Sequence, residues 1–211
     1  MYSGTLLTGR EMLSSQKALY LEVAELHANG IDQGFLPSLG LRFLALLYEA
    51  IDLSEEAILL VEYGDGRVAG FVSASTSLWP IYRALLGRPF RLILTLWPVL
   101  LNPVKLWRTL ELVMLTAWPS DKKSESSSCA LPTFELISIS VSLDERRSGV
   151  AKRLYEGLKK EASERGCDAF KIIVGEQLDG AHKFYSRMGA VPVGKTSVHG
   201  SATSVIYVQE L

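Results

Sequence analysis

The sequence has little of what metal sites, disulfide frameworks and secretion signals require. Only two of its 211 residues are cysteines and three are histidines, and neither type is spaced like a set of metal ligands. We therefore predict no metal site. The N-terminal residues contain no apolar core long enough for a signal peptide. These absences favour the cytoplasm, a reducing compartment, as the location of the protein.

An excess of charge of one sign is also missing. Lysine and arginine number 22 against 23 aspartates and glutamates, which gives a net charge of −1 and a pI near 6.3. Such a balance argues against nucleic acid as a general partner. The hydrophobic content of 48% is enough for a core. A chain of this length fits a single domain over residues 1–211.

No apolar run is long enough to span a membrane, although one segment approaches it. The segment 78–119 contains all four tryptophans. A span needs about 20 consecutive apolar residues, whereas here the run 92–101 contains Pro98, and Asn102, Pro103 and Lys105 follow it. We interpret 78–128 as a helical insertion followed by a solvated, flexible link at 121–128. Its helices either pack on the core or form a lid, a homodimer surface or, through 78–118, a peripheral membrane contact.

Periodicity and turn residues predict the remaining elements. Asp65-Gly66 between two strand-like runs is a strong hairpin signal. Ser38 and Asp179 are the residues we expect to cap the helices that follow them. The predicted strands are 4–9, 57–63, 67–75, 134–141, 169–174, 190–197 and 202–209. The predicted helices are 11–28, 39–52, one with apolar positions from 150 to 162 that Gly166 ends, and 179–188.

The stretch 134–151 is a strand that leads through a glycine-containing turn into a helix. Strict alternation along the strand places Glu135, Ile137, Ile139 and Val141 on one face and Leu136, Ser138 and Ser140 on the other. The first helical turn has N–H groups without intrahelical partners, and Gly149 lets a ligand approach the backbone closely. Arg146, Arg147, Lys152 and Arg153 add positive charge. The sequence therefore predicts a phosphate or pyrophosphate site at this turn.

Two spaced motifs carry a family resemblance. Val141, Arg146, Gly149 and Ala151 form V-x-x-x-x-R-x-x-G-x-A, which resembles the pyrophosphate-binding signature of the GNAT superfamily of acyl-CoA-dependent N-acyltransferases. Ala181, Tyr185 and Gly189, at intervals of four, resemble the family's second hallmark. With both motifs in the family's order, the chain is identified as a member of this superfamily, of the bacterial type with unassigned substrate.

The resemblance implies a fold and a co-substrate. The fold class is α/β (α+β): a mixed, mostly antiparallel central sheet flanked by helices, with the helical insertion between strands 3 and 4. The co-substrate is acetyl-CoA or another acyl-CoA, without a metal. The pantetheine arm is expected along the backbone of Ile139 and Val141, with Gln177 in place of the asparagine that family members often carry nearby. The pyrophosphate is expected at Arg146, Arg147, Ser148, Gly149, Val150, Ala151 and Lys152.

Two residues are candidates for the chemistry. Tyr185 occupies the position of the family's usual general acid, and its phenol, with an ordinary pKa near 10, can protonate a departing thiolate. Glu135 lies where the histone acetyltransferase branch carries its catalytic glutamate, and partial desolvation on an apolar strand would raise its pKa. The structural alternatives are a core tyrosine and a surface or salt-bridged glutamate.

The expected activity is N-acetylation of an amine on a small molecule or an amino sugar, by direct attack on the thioester. A small-molecule amine is thus the expected partner. The alternative is a non-catalytic acyl-CoA-binding or membrane-associated interaction module on the same fold.

Overall fold

A computed structural model describes residues 9–31, 36–100, 131–197 and 203–211. Six α-helices and six strands occur within these ranges, together with a short 3-10 helix at Leu36–Leu39. The helices are α1 Gly9–Gly30, α2 Leu41–Asp52, α3 Trp79–Leu86, α4 Pro89–Leu100, α5 Val150–Glu164 and α6 Asp179–Arg187. The strands are β1 Ala57–Gly64, β2 Arg67–Ser75, β3 Glu135–Val141, β4 Ala169–Gly175, β5 Val191–Ser197 and β6 Thr203–Glu210.

The six strands form one mixed sheet in the order β1-β2-β3-β4-β6-β5. Four of the five neighbouring pairs are antiparallel, and only β3 and β4 run parallel. This arrangement confirms the predicted fold class. Helices α3 and α4 lie between β2 and β3 in the chain. Most of the strand predicted at 4–9 lies outside the described residues, and Gly9 already belongs to α1.

Helices cover both faces of the sheet. Adjacent residues of β2 point to opposite faces, and since both faces carry apolar side chains, each face is packed against helices. Phe71 packs into a core formed with α1, α2 and α3. Its neighbour Val72 packs into a second core formed with α5 and α6, which includes Leu158 and Tyr185. Each face of the sheet is therefore buried by its own pair or group of helices.

Helices α3 and α4 are the described part of the predicted insertion. Ile81 and Leu85 bury α3 against the first core, and Arg88 and Arg91 both pair with Glu49 of α2, at 2.7 and 2.8 Å. Several large apolar side chains of the two helices remain exposed: Trp79, Leu86, Phe90, Ile93 and Leu94. The second predicted helical stretch and the link at 121–128 lie outside the described residues. Contact with a partner chain or a membrane stays a prediction.

In the part of the chain that the structure describes, no helix has both the length and the apolar character needed to cross a membrane.

Local turn chemistry was predicted correctly at the hairpin and wrongly at two helix starts. Asp65 and Gly66 both have left-handed φ values, 48° and 77°, as a two-residue hairpin turn requires. The cap of α2 is Gly40, with φ 92°, instead of Ser38, because residues 36–39 form the 3-10 helix. Leu178 precedes α6 as its cap, and Asp179 lies in the first turn, where its charge complements the helix dipole.

Candidate functional site

The two parallel strands at the centre of the sheet separate along most of their length. β3 and β4 are paired only at Glu135–Lys171 and Leu136–Ile172. Beyond these pairs, residues 137–141 and 173–175 run without register partners between the two strands. The edge of β3 that faces this gap therefore presents backbone groups to which an extended ligand can add like a further strand. Ile139 and Val141, the predicted arm contacts, lie along this edge.

A β-bulge at Ile137 changes which side chains share a face of β3. Ser73 pairs with Ser138 whereas the next residue of β2, Ala74, pairs with Leu136, so Ile137 is the extra residue. Glu135 consequently shares a face with Ser138 and Ser140. The strict alternation predicted from the sequence, which grouped Glu135 with Ile139 and Val141, is wrong because one inserted residue reverses the pattern.

The turn after β3 leads into the N-terminus of α5, where the anion site is predicted. Arg147 and Gly149 both have left-handed φ values, 70° and 88°. The N–H groups of Arg146 and Ser148 donate to the carbonyl oxygens of Leu143 and Glu145 inside the turn, both at 3.3 Å. Gly149 caps α5 without a side-chain hydrogen bond, and the first turn of α5 contains no acidic residue. The first N–H groups of α5 and the positive end of its dipole are thus available to an anion.

The basic residues of the turn fall into two groups. Arg146, Arg147 and Lys152 are exposed and make no ion pair with any residue that the structure describes. Arg153 differs, because its guanidinium pairs with Glu62 at 2.6 Å and donates from Nη1 to the carbonyl oxygen of Ser148 at 3.1 Å. The hydrogen bond to Glu62 raises the pKa of Arg153. Three cations remain for an anionic ligand instead of the four that the sequence suggested.

Close packing on a glycine fixes where α5 begins. A Cβ atom on Gly70 of β2 would lie 2.8 Å from Val150 Cγ1 and 3.0 Å from Leu154 Cδ1. Real Cβ atoms essentially never approach as closely as 2.8 Å, so a side chain at this position would force Val150 to shift. Val150 is only 2% exposed, which leaves its backbone N–H as the group that can serve the anion site.

Tyr185 lies at the level where β3 and β4 begin to separate. Leu136 pairs with Ile172, and Ile172 pairs in turn with Tyr207 of β6. The ring of Tyr185 is 6.3 Å from that of Tyr207. Tyr185 is 6% exposed, and burial raises the pKa of its phenol above the usual value. Because its pKa is raised, the phenol stays protonated at neutral pH. Its hydroxyl makes no hydrogen bond with a described residue, and its burial matches the core alternative considered for this residue. Its assignment as the general acid stays a prediction.

Glu135 lies at the closed end of the gap. Its Oε2 is 3.4 Å from Nζ of Lys171, and its side chain is 35% exposed. The pairing matches the salt-bridged alternative considered for this residue. Its assignment as a base stays a prediction.

The remaining predicted contacts gather at the open end of the gap. Gln177 is exposed just beyond β4, and a Cβ on Gly175 would lie 3.3 Å from its Nε2, so the amide folds back over the strand end. Ser148 is exposed and donates from Oγ to the Glu145 carbonyl at 2.7 Å. Because β3 and β4 are parallel, their C-terminal ends lie at the same end of the sheet. The residues 146–152 and Gln177, which follow these strands, therefore lie at that end.

The sequence did not reveal a chain of hydrogen-bonded polar side chains buried on the face of the sheet that α1 and α2 cover. The Tyr48 hydroxyl lies 2.6 Å from His27 Nδ1 and 3.0 Å from Ser138 Oγ, which is 2.7 Å from Ser73 Oγ. Apolar periodicity cannot predict such contacts, because the residues come from four different elements. Within the described ranges, no group of three or more His, Cys, Asp or Glu side chains is arranged to hold a metal ion.

Comparison with known proteins places part of the sequence in a family. The model of the acetyltransferase (GNAT) family matches residues 109–190. Among curated proteins, none matches the chain significantly.

Solved structures share the fold over most of the chain. One, described as an acetyltransferase, is 18% identical, with 92% of this chain and 95% of that chain covered and a TM-score of 0.54. An aminoglycoside 6′-N-acetyltransferase in complex with coenzyme A is 12% identical, with 90% and 89% covered and a TM-score of 0.54. The ribosomal-protein-S18-alanine N-acetyltransferase of Escherichia coli is 12% identical, with 98% and 91% covered and a TM-score of 0.50.

At these identities the likeness concerns the fold alone, whereas the family match rests on the sequence itself. The resemblance predicted from the two motifs is confirmed: residues 109–190 match the GNAT acetyltransferase family, and the chain has the fold of acetyltransferases of known structure.

Proposed function

We propose that the protein is an acetyl-CoA-dependent N-acetyltransferase that acts on the amine of a small molecule or an amino sugar. The observation that carries the proposal is that the gap between β3 and β4 and the turn before α5 adjoin each other. The gap between β3 and β4 leads directly into the turn at 146–149, where α5 begins without a side-chain cap. An extended thioester with a pyrophosphate at one end matches both features.

The positions of the predicted residues give the orientation of such a ligand. With the phosphates on the N–H groups at the start of α5, the arm would follow β3 towards Leu136. The five residue-to-residue steps from Val141 to Leu136 span roughly 17 Å of extended strand. The thioester then reaches the closed end of the gap, the level at which Tyr185 and Glu135 both lie.

The chemistry requires a neutral amine, because an ammonium nitrogen has no free electron pair. The amine nitrogen attacks the thioester carbonyl carbon, a C–N bond forms, the C–S bond breaks, and the amine loses a proton. Tyr185 is the proposed donor of a proton or hydrogen bond to the departing thiolate. Glu135, or a water molecule beside it, is the proposed acceptor of the amine proton.

Release of free thiol from acetyl-CoA tests the proposal. The purified protein is incubated with acetyl-CoA and a panel of small amines and amino sugars, and products are identified by a mass increase of one acetyl group. Amine-dependent thiol release is the expected result. Binding of acetyl-CoA in calorimetry without turnover on any amine would favour the non-catalytic module instead, and absence of binding would exclude both.

A further inference from the structure

We propose that Glu62 and Arg153 are positioning residues that hold the phosphate-binding turn in its binding conformation. The inference rests on the proposed function, because it concerns the same coenzyme site. Glu62 comes from β1, a strand outside both family motifs, and lies 91 positions before Arg153. Neither side chain needs to touch the coenzyme for this role.

The Arg153 guanidinium already uses three of its donor atoms within the protein. Nε and Nη2 both donate to Glu62 Oε1, at 2.9 and 2.6 Å, and Nη1 donates to the Ser148 carbonyl oxygen at 3.1 Å. A planar guanidinium with these partners is fixed in orientation. Arg153 therefore connects β1 to the last peptide of the turn.

The contact with Ser148 determines where the next N–H group points. In a planar trans peptide, the carbonyl and the following N–H point in opposite directions. Holding the Ser148 oxygen towards Arg153 thus directs the Gly149 N–H away from the guanidinium. A single hydrogen bond to the carbonyl orients a donor for the anion.

The turn needs such a restraint because its backbone is strained. Arg147 is not a glycine, yet its φ is 70°, a left-handed conformation that L-residues adopt at a cost. The segment 142–149, which joins β3 to α5 and contains the turn, is also tied to the β1–β2 hairpin at its start, since Ser142 donates its N–H to the Ala69 carbonyl at 2.8 Å. Ala69 is the extra residue of a bulge opposite Glu62 and Tyr63. The β1–β2 hairpin therefore anchors the segment 142–149 near both of its ends, at Ser142 through Ala69 and at Ser148 through Glu62 and Arg153.

Affinity for coenzyme A separates positioning from simple attraction. Arg153→Met and Glu62→Met are each compared with wild type by calorimetry, with Lys160→Met as a control that removes a cation further along α5. If the pair positions the turn, both variants bind roughly three- to tenfold more weakly, the scale of an ion pair with a charge-assisted hydrogen bond. The double variant then binds coenzyme A no more weakly than whichever single variant has the lower affinity. Lys160→Met binds like wild type.

If Arg153 instead attracts the phosphates directly, the variants should change the affinity for coenzyme A in other ways. Removing the negative charge of Glu62 would then tighten binding, and Arg153→Lys, which keeps the charge, would bind like wild type. Positioning predicts weaker binding by Arg153→Lys, since one ammonium group cannot hold both Glu62 and Ser148. Tighter binding by Glu62→Met, or wild-type binding by Arg153→Lys, overturns the inference.

Amide hydrogen exchange of residues 146–150 in the ligand-free protein gives a second measurement. Faster exchange in Glu62→Met and Arg153→Met, with unchanged protection of β3 and β4, supports a local role in a folded protein. Equal exchange and equal affinity in all variants overturn this inference alone. If the wild-type protein does not bind coenzyme A, the proposed function is wrong and the inference falls with it.

Discussion

The Nδ1 atom of His27 lies 2.6 Å from the hydroxyl oxygen of Tyr48, and both side chains are at most 5% exposed. The imidazole also stacks on Phe71, with ring centroids 6.4 Å apart. Burial lowers the pKa of His27 to about 4. The histidine is therefore neutral in the folded protein over the physiological pH range, and the chain through Tyr48 to Ser138 is a network of uncharged groups.

This relationship predicts a loss of stability in mild acid. The unfolded chain binds a proton at His27 near pH 6.5, whereas the folded protein resists it down to about pH 4. Stability from this group is fully present above pH 6.5 and falls as the pH drops towards 4, by about 3 kcal/mol in total. Urea unfolding at several pH values should show this fall. In His27→Gln, whose side chain does not titrate, the free energy of unfolding should change less over the same pH range. An equal change with pH in both proteins would contradict this prediction.

A second prediction concerns the contact between α5 and β2. Gly70→Ala places a Cβ against Val150 and Leu154 in a packed core, and overpacking of this kind costs about 1–3 kcal/mol. Gly180→Ala is the matched control, because a Cβ at Gly180 meets no atom within 4 Å and alanine is the better helix former. Thermal unfolding should show a lower Tm for Gly70→Ala only. Equal Tm values for both would show that the core accommodates the added methyl group.

The phosphate-binding turn gives a third prediction. Gly149→Glu adds a negative charge and a Cβ to a residue with φ 88°, so coenzyme A binding should be lost while the fold survives. Gly166→Glu carries the same charge and similar strain, at φ 77°, but lies beyond the other end of α5. It should lose similar stability and keep its affinity. Calorimetry on both proteins separates the two effects, and undiminished binding by Gly149→Glu would falsify the phosphate site.

Features set by local sequence were predicted well. The Asp65-Gly66 turn, the strand 134–141 and the helix that follows it depend on neighbouring residues, and the structure has them. The predicted caps of α2 and α6 were wrong by two residues and one residue, because Gly40 and Leu178 precede these helices without a side-chain cap hydrogen bond, and a search for polar capping residues misses such starts.

Features set by contacts distant in sequence were not predictable. The bulge at Ile137 depends on the register of β3 against β2, and it reversed the predicted face of Glu135. Arg153 looked like a phosphate ligand because its partner Glu62 is 91 residues away. Nothing in the periodicity of either segment indicates that the two side chains meet.

The last prediction separates the chemical role of Tyr185 from its packing role. Since no described residue hydrogen-bonds its hydroxyl, Tyr185→Phe should keep the ring contacts and change the free energy of unfolding little. If the hydroxyl serves the departing thiolate, turnover should fall by about 10²–10⁴-fold with coenzyme A affinity nearly intact. Tyr155→Phe is the opposite case, because the Tyr155 hydroxyl donates to Gln209 Oε1 at 3.0 Å. It should lose about 1 kcal/mol of stability and keep its turnover. If Tyr185→Phe stays within about twofold of wild type on an accepted amine, the proton comes from another group or from water.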